Sequence, residues 1–253
     1  MLQHIFSLQG INVDAATFLQ ENKYSEKLFN LFGAQEVTSL DYSSYEGADI
    51  LHDMNLPIPG DLCERFSVVF DGGCLEHIFN IPQGLKNCME MVEVGGYFLQ
   101  VTNANNFMGH GFWQLSPELL FRVFSPENGF ETKAVLLHET SYGGSWYSVS
   151  DPDHVHERVE LCNNSPTYLI TIAKRISNPI IFAKPPQQSD YSALWGPNAT
   201  EERNLSADTA LNRTNTMPAS RQLPLRSYLP EPVKRAPDQQ GSSASPAKPP
   251  SRP

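Results

Sequence analysis

One short polar segment combines a histidine with three asparagines, residue types suited to proton transfer and to hydrogen bonding of a small molecule. His110 lies between two glycines. Because an imidazole titrates near neutral pH, His110 is a candidate general base toward an oxygen or nitrogen nucleophile. Asn103, Asn105 and Asn106 precede it and are candidate substrate-binding residues. Asparagines that only stabilise a loop, beside a surface histidine, are the alternative interpretation.

This segment follows the second strand of a predicted strand–helix–strand unit. Residues 66–70 form a short apolar, β-branched run that ends in Asp71-Gly72-Gly73, as a parallel strand does where its carboxyl end opens into a crevice. Residues 75–94 then carry apolar side chains at roughly helical spacing. Gly95-Gly96 is predicted to stop this helix, and residues 97–102 to form the next strand.

Two loops are expected at one edge of the sheet that these strands form. A parallel pair joined by a crossover helix is right-handed, so residues 71–77 and 103–110 are predicted to line the same crevice. His77, in the first loop, could stack on a bound ligand or reach a substrate in the crevice. A half-buried structural histidine is the alternative.

The runs FSVVFDGGCLEHIFN and MVEVGGYFLQVTNANN resemble the class I S-adenosylmethionine-dependent methyltransferases. Within that superfamily, YEGADILHDMN, GHGFWQLSPELLF and PPQQSDY are similar to a bacterial branch of methyltransferase-like proteins, over residues 5–195. The resemblance implies an α/β fold, a three-layer sandwich with a mostly parallel, Rossmann-like sheet. It also implies a transferase that uses S-adenosylmethionine; a small-molecule or sugar acceptor is expected from the acidic surface and the bacterial resemblance.

The resemblance assigns cofactor-binding roles to residues at the ends of predicted strands. Asp41, with Tyr42, would hold the ribose hydroxyls, and Asp53, with Met54, would lie beside the adenine. Asp71-Gly72-Gly73 would approach the methionine end of the cofactor, near which His77 would stack. The loop with Asn103, Asn105 and Asn106 would bind the methyl acceptor. A solvated turn acid at Asp41, an Asx-turn at Asp53 and a simple glycine turn after Asp71 are the alternatives that these residue types leave open.

The first glycine-rich turn of the family is degenerate in this chain. In the family, the first strand runs into a GxGxG turn where missing side chains let the backbone approach the cofactor. A weak strand is predicted over residues 5–8. Gln9 and Gly10 follow it and are the candidate for this turn, which thus contains a single glycine. A first strand that starts upstream of residue 1 would explain the same pattern. An inactive methyltransferase-like binding or scaffold protein is therefore the alternative function.

Composition changes sharply near Trp195. Residues 197–253 hold 10 of the 20 prolines and carry a net charge of +3 (8 Lys or Arg against 5 Asp or Glu), whereas residues 1–196 carry −13 (10 against 23). A Pro- and Ser-rich segment buries too little apolar surface to offset its ordering entropy. The sequence predicts a methyltransferase-like domain over 1–196 and a disordered tail over 197–253.

Charge and hydropathy exclude several partner classes. The negative domain repels phosphates, which argues against nucleic acid. No apolar run reaches the roughly 18 residues of a membrane span, and the first residues lack a basic-then-apolar leader, so a cytoplasmic protein without a membrane partner is expected. The four cysteines show no CxxC spacing, which argues against a zinc knuckle or a disulfide framework.

The run Asp151-Pro-Asp153-His154-Val-His156-Glu157 has the composition of a metal site. Adjacent ligand types in one loop are common by chance, and no distant partner is identifiable. The sequence therefore predicts no metal site. A metal-dependent hydrolase that uses His154 and His156 is the weakest functional alternative.

Local signals predict the remaining elements. A helix over residues 25–32 is expected to begin at Ser25 and to stop at Gly33, and another begins at Ser116-Pro117-Glu118. A further helix is predicted over 15–21, and further strands over 36–40, 49–52, 131–137 and 168–174.

Overall fold

The structure is a computed structural model that describes residues 2–21, 24–140, 144–155 and 158–191. The predicted tail, His156 and Glu157 lie outside these ranges. The described helices are α1 Leu2–Leu8, α2 Ala15–Glu21, α3 Glu26–Leu31, α4 Ile81–Met91, α5 Pro117–Val123 and α6 Pro152–Val155, with 3₁₀ turns at Gly60–Leu62, Leu75–His77 and Pro126–Asn128. No described helix is long and apolar enough to cross a bilayer.

The described residues contain seven strands, which form two sheets. The strands are β1 Leu40–Asp41, β2 Ile50–Leu51, β3 Phe66–Asp71, β4 Val92–Asn103, β5 Phe130–Glu139, β6 Trp146–Ser148 and β7 Thr167–Arg175. The larger sheet has the order β3-β4-β7-β5-β6, and β1 pairs with β2 in a separate parallel ribbon.

The prediction of a mostly parallel sheet is wrong for the five-stranded sheet. Its β3 and β4 are parallel, but β7 runs antiparallel to both β4 and β5, and β6 returns antiparallel along β5. Whether a strand runs parallel or antiparallel to its neighbour depends on the path of the connection between them. The alternating hydrophobicity that predicts a strand is the same in both cases, so the sequence pattern does not give the strand direction.

Helices α4 and α5 pack on one face of this sheet. Phe98, Leu169 and Ala173 are completely buried on that face, in one core with residues of α4 and α5. On the opposite face Tyr97 is 37% exposed and Phe70 45% exposed, although Phe70 contacts Phe29 of α3. Helix α3 therefore contacts the face opposite to α4 and α5, although the exposure of Tyr97 shows that the described elements do not cover that face completely.

Elements with strong local signals are confirmed. Helix α2 has the predicted bounds, and β3, β5 and β7 match the predicted strands within one or two residues. Ser116 caps α5, since its Oγ accepts a hydrogen bond from the N–H of Leu119 at 3.3 Å. The predicted strands over 36–40 and 49–52 shrink to the two-residue strands β1 and β2.

The crossover between β3 and β4 differs from the prediction in one respect. Helix α4 ends at Met91 and passes directly into β4, so Gly95-Gly96 lies inside the strand and does not stop the helix. A Cβ at Gly96 would lie 2.6 Å from the carbonyl oxygen of Ser67. The glycine is needed there because the backbones of β3 and β4 approach closely.

The strand predicted over residues 5–8 is wrong, because these residues belong to α1. Phe6 is completely buried against Ala15 and Phe18 of α2, which favours a helix in this context. Gly10 has φ of +68°, and the N–H groups of Gly10 and Ile11 donate to the carbonyls of Ser7 and Phe6. This is the pattern of a glycine-terminated helix end.

Candidate functional site

Three titratable side chains meet at the carboxyl ends of β3 and β4. Glu76 and His77 lie in the 3₁₀ turn after β3, and His110 lies in the loop after β4. One ligand atom from each residue lies within 4.8 Å of the others. His110 Nε2 is 3.7 Å from Glu76 Oε1, and the two imidazole centroids are 4.9 Å apart. We call Glu76, His77 and His110 the His–Glu cluster.

Hydrogen bonds hold the loop after β4 against the turn after β3. The N–H groups of Phe112 and Trp113 donate to the carbonyl oxygen of Glu76 at 2.8 and 3.2 Å, and Asn103 Nδ2 donates to the carbonyl of His110 at 3.2 Å. Gly111 has φ of +70°, and a Cβ there would lie 2.8 Å from the Glu76 carbonyl oxygen. Glycine at this position therefore allows the two loops to meet.

Glu76 is a site residue that sequence reasoning did not select. Its side chain is only 2% exposed, and its Oε2 accepts a hydrogen bond from Thr102 Oγ1 at 3.0 Å. The burial comes from β4 and the following loop, which are distant in sequence. The available signal was the adjacency of an acid to His77 in a loop already assigned to the crevice.

Asp71 organises the turn that carries the cluster. Its Oδ1 accepts from the N–H groups of Gly73, Cys74 and Leu75 at 3.3, 2.8 and 3.3 Å, and its Oδ2 accepts from Gln100 Nε2 at 2.9 Å. Both oxygens are thus engaged within the protein. Asp71 holds the turn by these bonds, as the alternative interpretation of a structural turn expects.

The glycines after Asp71 occupy different surroundings. Gly73 has φ of +105°, and a Cβ there would lie 3.1 Å from Glu76 Oε1, whereas a Cβ at Gly72 would meet the ring of Phe70 at 2.9 Å. Gly73 therefore keeps space open beside the Glu76 carboxylate. Gly72 lies toward the opposite sheet face.

Cys74 lies in the same turn and has a perturbed thiol. Although part of the residue reaches solvent, desolvation by the surrounding protein, supplemented by the negative charges of Asp71, Asp41 and Glu76, raises the pKa of Cys74 to about 11. The contribution of Asp41 shows that the end of β1 lies within electrostatic range of this turn.

We expect Cys74 to be alkylated by iodoacetamide about tenfold more slowly at pH 8 than an unperturbed thiol. Its thiolate fraction is about 100-fold smaller, and the higher nucleophilicity of a more basic thiolate restores roughly tenfold. Mass spectrometry of alkylated peptides measures the rate, with the exposed Cys162 as internal reference. Equal rates at the two cysteines would contradict the assigned environment.

Asp41 ends β1 with a half-buried carboxyl group, and Tyr42 is 75% exposed. Asp41 Oδ1 accepts from the N–H of Ser43 at 3.3 Å, the one hydrogen bond to its carboxylate that the described residues supply. The group therefore retains acceptor capacity for a ligand hydroxyl.

Asp53 forms an Asx-turn, as its alternative interpretation expects. Its Oδ1 accepts from the backbone and side-chain N–H groups of Asn55 at 2.9 and 2.7 Å, and these bonds lower the pKa of Asp53. Met54 is 6% exposed and belongs to the core, where its carbonyl accepts from Asn87 Nδ2 at 3.1 Å. The side chain of Met54 therefore packs in the interior.

Of the three asparagines predicted to bind the acceptor molecule, only one contacts the His–Glu cluster. Asn105 Nδ2 donates to the carbonyl of Leu161 at 2.7 Å, and Asn106 Nδ2 donates to the carbonyls of Asn163 and Ser165 at 3.2 and 2.9 Å. Both stabilise the loop before β7. Asn103, completely buried, is the asparagine that positions His110.

Gln9 with Gly10, and the described part of the acidic run 151–157, make structural contacts. Gln9 and Gly10 form the end of α1, where their N–H groups donate to carbonyls of Ile5 and Ser7. In the acidic run, Asp151 pairs with Arg122, whose Nη1 is 3.5 Å from Asp153 Oδ2. The described part of that run is thus an ion-pair network.

Comparison with known proteins gives no match to any family model and none to curated proteins. Among solved structures, the chain is similar to a candidate methyltransferase from Bacillus halodurans, with 15% identity, 60% of this chain and 87% of that chain covered, and a TM-score of 0.39. It is also similar to the antibiotic-resistance methyltransferase Kmr, with 17% identity, coverage of 51% and 62%, and a TM-score of 0.30. A protein from Pyrococcus horikoshii is 15% identical, with 59% of this chain and 77% of that chain covered and a TM-score of 0.28. At these values the likenesses assign no family or activity to this chain.

Proposed function

We propose that this protein is an S-adenosylmethionine-dependent methyltransferase acting on a small-molecule or sugar acceptor. The observation that carries the proposal is the His–Glu cluster at the carboxyl ends of the parallel strands β3 and β4. Ligands of open α/β sheets bind at such strand ends. The resemblance of the flanking segments to class I methyltransferases supports this choice of chemistry.

The residues present fit part of the cofactor. Asp41 would hold the ribose hydroxyls with its remaining acceptor capacity, and Gly73 and His77 would border the methionine end. Asp71 acts on this region indirectly, because its oxygens hold the turn. When bound, S-adenosylmethionine supplies an activated methyl group on its sulfonium centre.

The protein's own task is to bind and orient the acceptor and to handle one proton. Phe79 and Phe112, 73% and 68% exposed, have ring centroids 6.0 Å apart beside the cluster and offer an apolar surface for a ring-shaped acceptor. His110, with its side chain 52% exposed, is the proposed group that receives the acceptor's proton.

We expect calorimetry to show micromolar binding of S-adenosylhomocysteine that weakens about 10- to 100-fold in Asp41→Ala, since hydrogen bonds to a charged group contribute about 1.5–3 kcal/mol. Asp61→Ala, which removes an exposed acid of the Gly60–Leu62 turn, is the matched control and should bind as the wild type does. Absence of binding by the wild-type chain contradicts the proposal.

A second candidate function, a methyltransferase-like binding or scaffold protein without catalysis, is favoured by one observation. Residues 5–8 lie in helix α1, and Gly10 ends that helix. The described residues thus supply no glycine-rich turn after a first strand. Binding of S-adenosylhomocysteine without methylated product from a panel of hydroxylated and amino acceptors would support this candidate.

A further inference from the structure

The His–Glu cluster has the spacing of a metal-binding site. Ligand atoms on a tetrahedral Zn²⁺ lie about 2.0–2.2 Å from the ion and hence about 3.4 Å from one another. The distance of 3.7 Å between Glu76 Oε1 and His110 Nε2 is too long for a hydrogen bond and close to that separation. The three ligand atoms lie within 4.8 Å, so a small rotation of the exposed imidazoles completes the set.

Burial of Glu76 gives the cluster a need for positive charge. A carboxylate removed from water is unfavourable unless it is paired and hydrogen-bonded. Thr102 supplies a hydrogen bond to Oε2, but among the described residues the sole basic side chain within ion-pair distance of Glu76 is that of His110. A divalent cation between Oε1 and the two imidazoles would satisfy this carboxylate.

The protein holds the ligands before any ion arrives. Thr102 fixes one oxygen of Glu76, which leaves the other directed toward His110. Asn103 and the carbonyl of Glu76 fix the backbone around His110. Outer contacts of this kind orient metal ligands, and the absence of side chains at Gly73 and Gly111 leaves room for the close approach.

We infer that Glu76, His77 and His110 bind a divalent transition-metal ion, with Zn²⁺ as the best fit. Imidazole ligands favour transition metals over Mg²⁺ and Ca²⁺, which prefer oxygen. Two histidines and one glutamate are a ligand set of zinc sites that keep a fourth position open. Both histidines are exposed, so a fourth position would be open to solvent. This inference replaces the sequence-based expectation of no metal site.

Metal binding does not depend on the proposed methyl transfer, but it changes how that site works. An acceptor hydroxyl bound at the open position would lose its proton more readily, because the cation stabilises the oxyanion. His110 would then serve as a ligand in the metal-bound protein, and the proton of the bound hydroxyl would pass to solvent water.

The test is a Zn²⁺ titration of the full chain after dialysis against a chelator, followed by competition with a chromophoric chelator. We expect one equivalent bound per chain. His77→Ala and His110→Ala should each weaken binding by more than about 100-fold, since loss of outer contacts alone typically costs 10- to 100-fold. Both side chains are exposed, so the variants should fold, as circular dichroism will verify.

Two controls separate the cluster from other sites. Glu76→Gln keeps the size of the side chain and an acceptor for Thr102 but removes the anionic ligand, and it should also weaken binding. His154→Ala, in the acidic run, should leave the affinity unchanged. Binding by the double variant His77→Ala/His110→Ala that equals the wild type, or binding lost in His154→Ala, would overturn the inference whether or not S-adenosylhomocysteine binds.

Discussion

Replacing Arg175 with alanine should lower the free energy of unfolding by about 3 kcal/mol, since hydrogen bonds to a charged group contribute about 1.5–3 kcal/mol and buried carbonyls left unpaired add to the loss. Arg175 is 2% exposed. Its Nη1 donates to the carbonyls of Met89 and Glu90 at 3.2 Å and to that of Val92. Desolvation lowers the pKa of this guanidinium. The hydrogen bonds to the carbonyls therefore offset the unfavourable burial of its charge.

These carbonyls belong to the end of α4, where the helix passes directly into β4. The last carbonyls of a helix have no intrahelical partners, and Arg175, at the end of β7, supplies donors for them. Alanine would remove this donor from the carbonyls of Met89 and Val92, whereas the carbonyl of Glu90 would still accept from the N–H of Glu64 at 2.8 Å. The contact thus ties the crossover helix to the central strands of the sheet.

Urea denaturation measures the change in stability, with Lys174→Ala as the neighbouring control and Arg175→Lys as the charge-preserving variant. Lysine lacks the planar fork of donors, so an intermediate loss is expected, whereas Lys174→Ala should change stability by less than about 1 kcal/mol. A loss below about 1 kcal/mol in Arg175→Ala would show that the helix end is satisfied without the guanidinium.

Replacing Asp71 with alanine should lower the free energy of unfolding by about 3 kcal/mol, since charge-assisted hydrogen bonds contribute about 1.5–3 kcal/mol and buried donors left unpaired add to the loss. Four donors lose their acceptor: the N–H groups of Gly73, Cys74 and Leu75, and the amide of the completely buried Gln100. The turn that carries Glu76 and His77 should then loosen.

Asp71→Asn is the matched control. Asparagine keeps an Oδ1 acceptor for the turn, and its Nδ2 can donate to Gln100 Oε1, which lacks a partner among the described residues. We expect a loss of about 1 kcal/mol for this variant. Thermal unfolding measures the difference in stability between Asp71→Ala and Asp71→Asn. The affinity for Zn²⁺ should also fall more in Asp71→Ala than in Asp71→Asn. Equal stability of both variants and the wild type would refute the organising role of this carboxylate.

Local sequence patterns were sufficient for several elements. The apolar run that ends at Asp71, the Ser116-Pro117-Glu118 helix start and the alternating β7 each depend on residues within one turn or one strand. The shared edge of the loops after β3 and β4 also followed, since a crossover of fixed hand places them together. Backbone conformation near residues 5–8 did not follow, because packing of Phe6 against α2 decides it.

The sequence by itself determined that Asp71, His77, His110 and their neighbouring glycines would lie at the ends of two neighbouring strands. Only the tertiary structure decided their roles. It buried Glu76 beneath Thr102, engaged both oxygens of Asp71 within the turn and placed Met54 in the core. Burial and hydrogen bonding of a side chain depend on residues far away in sequence: Glu76 and His110 are 34 positions apart, and they meet because β3 and β4 pair in parallel.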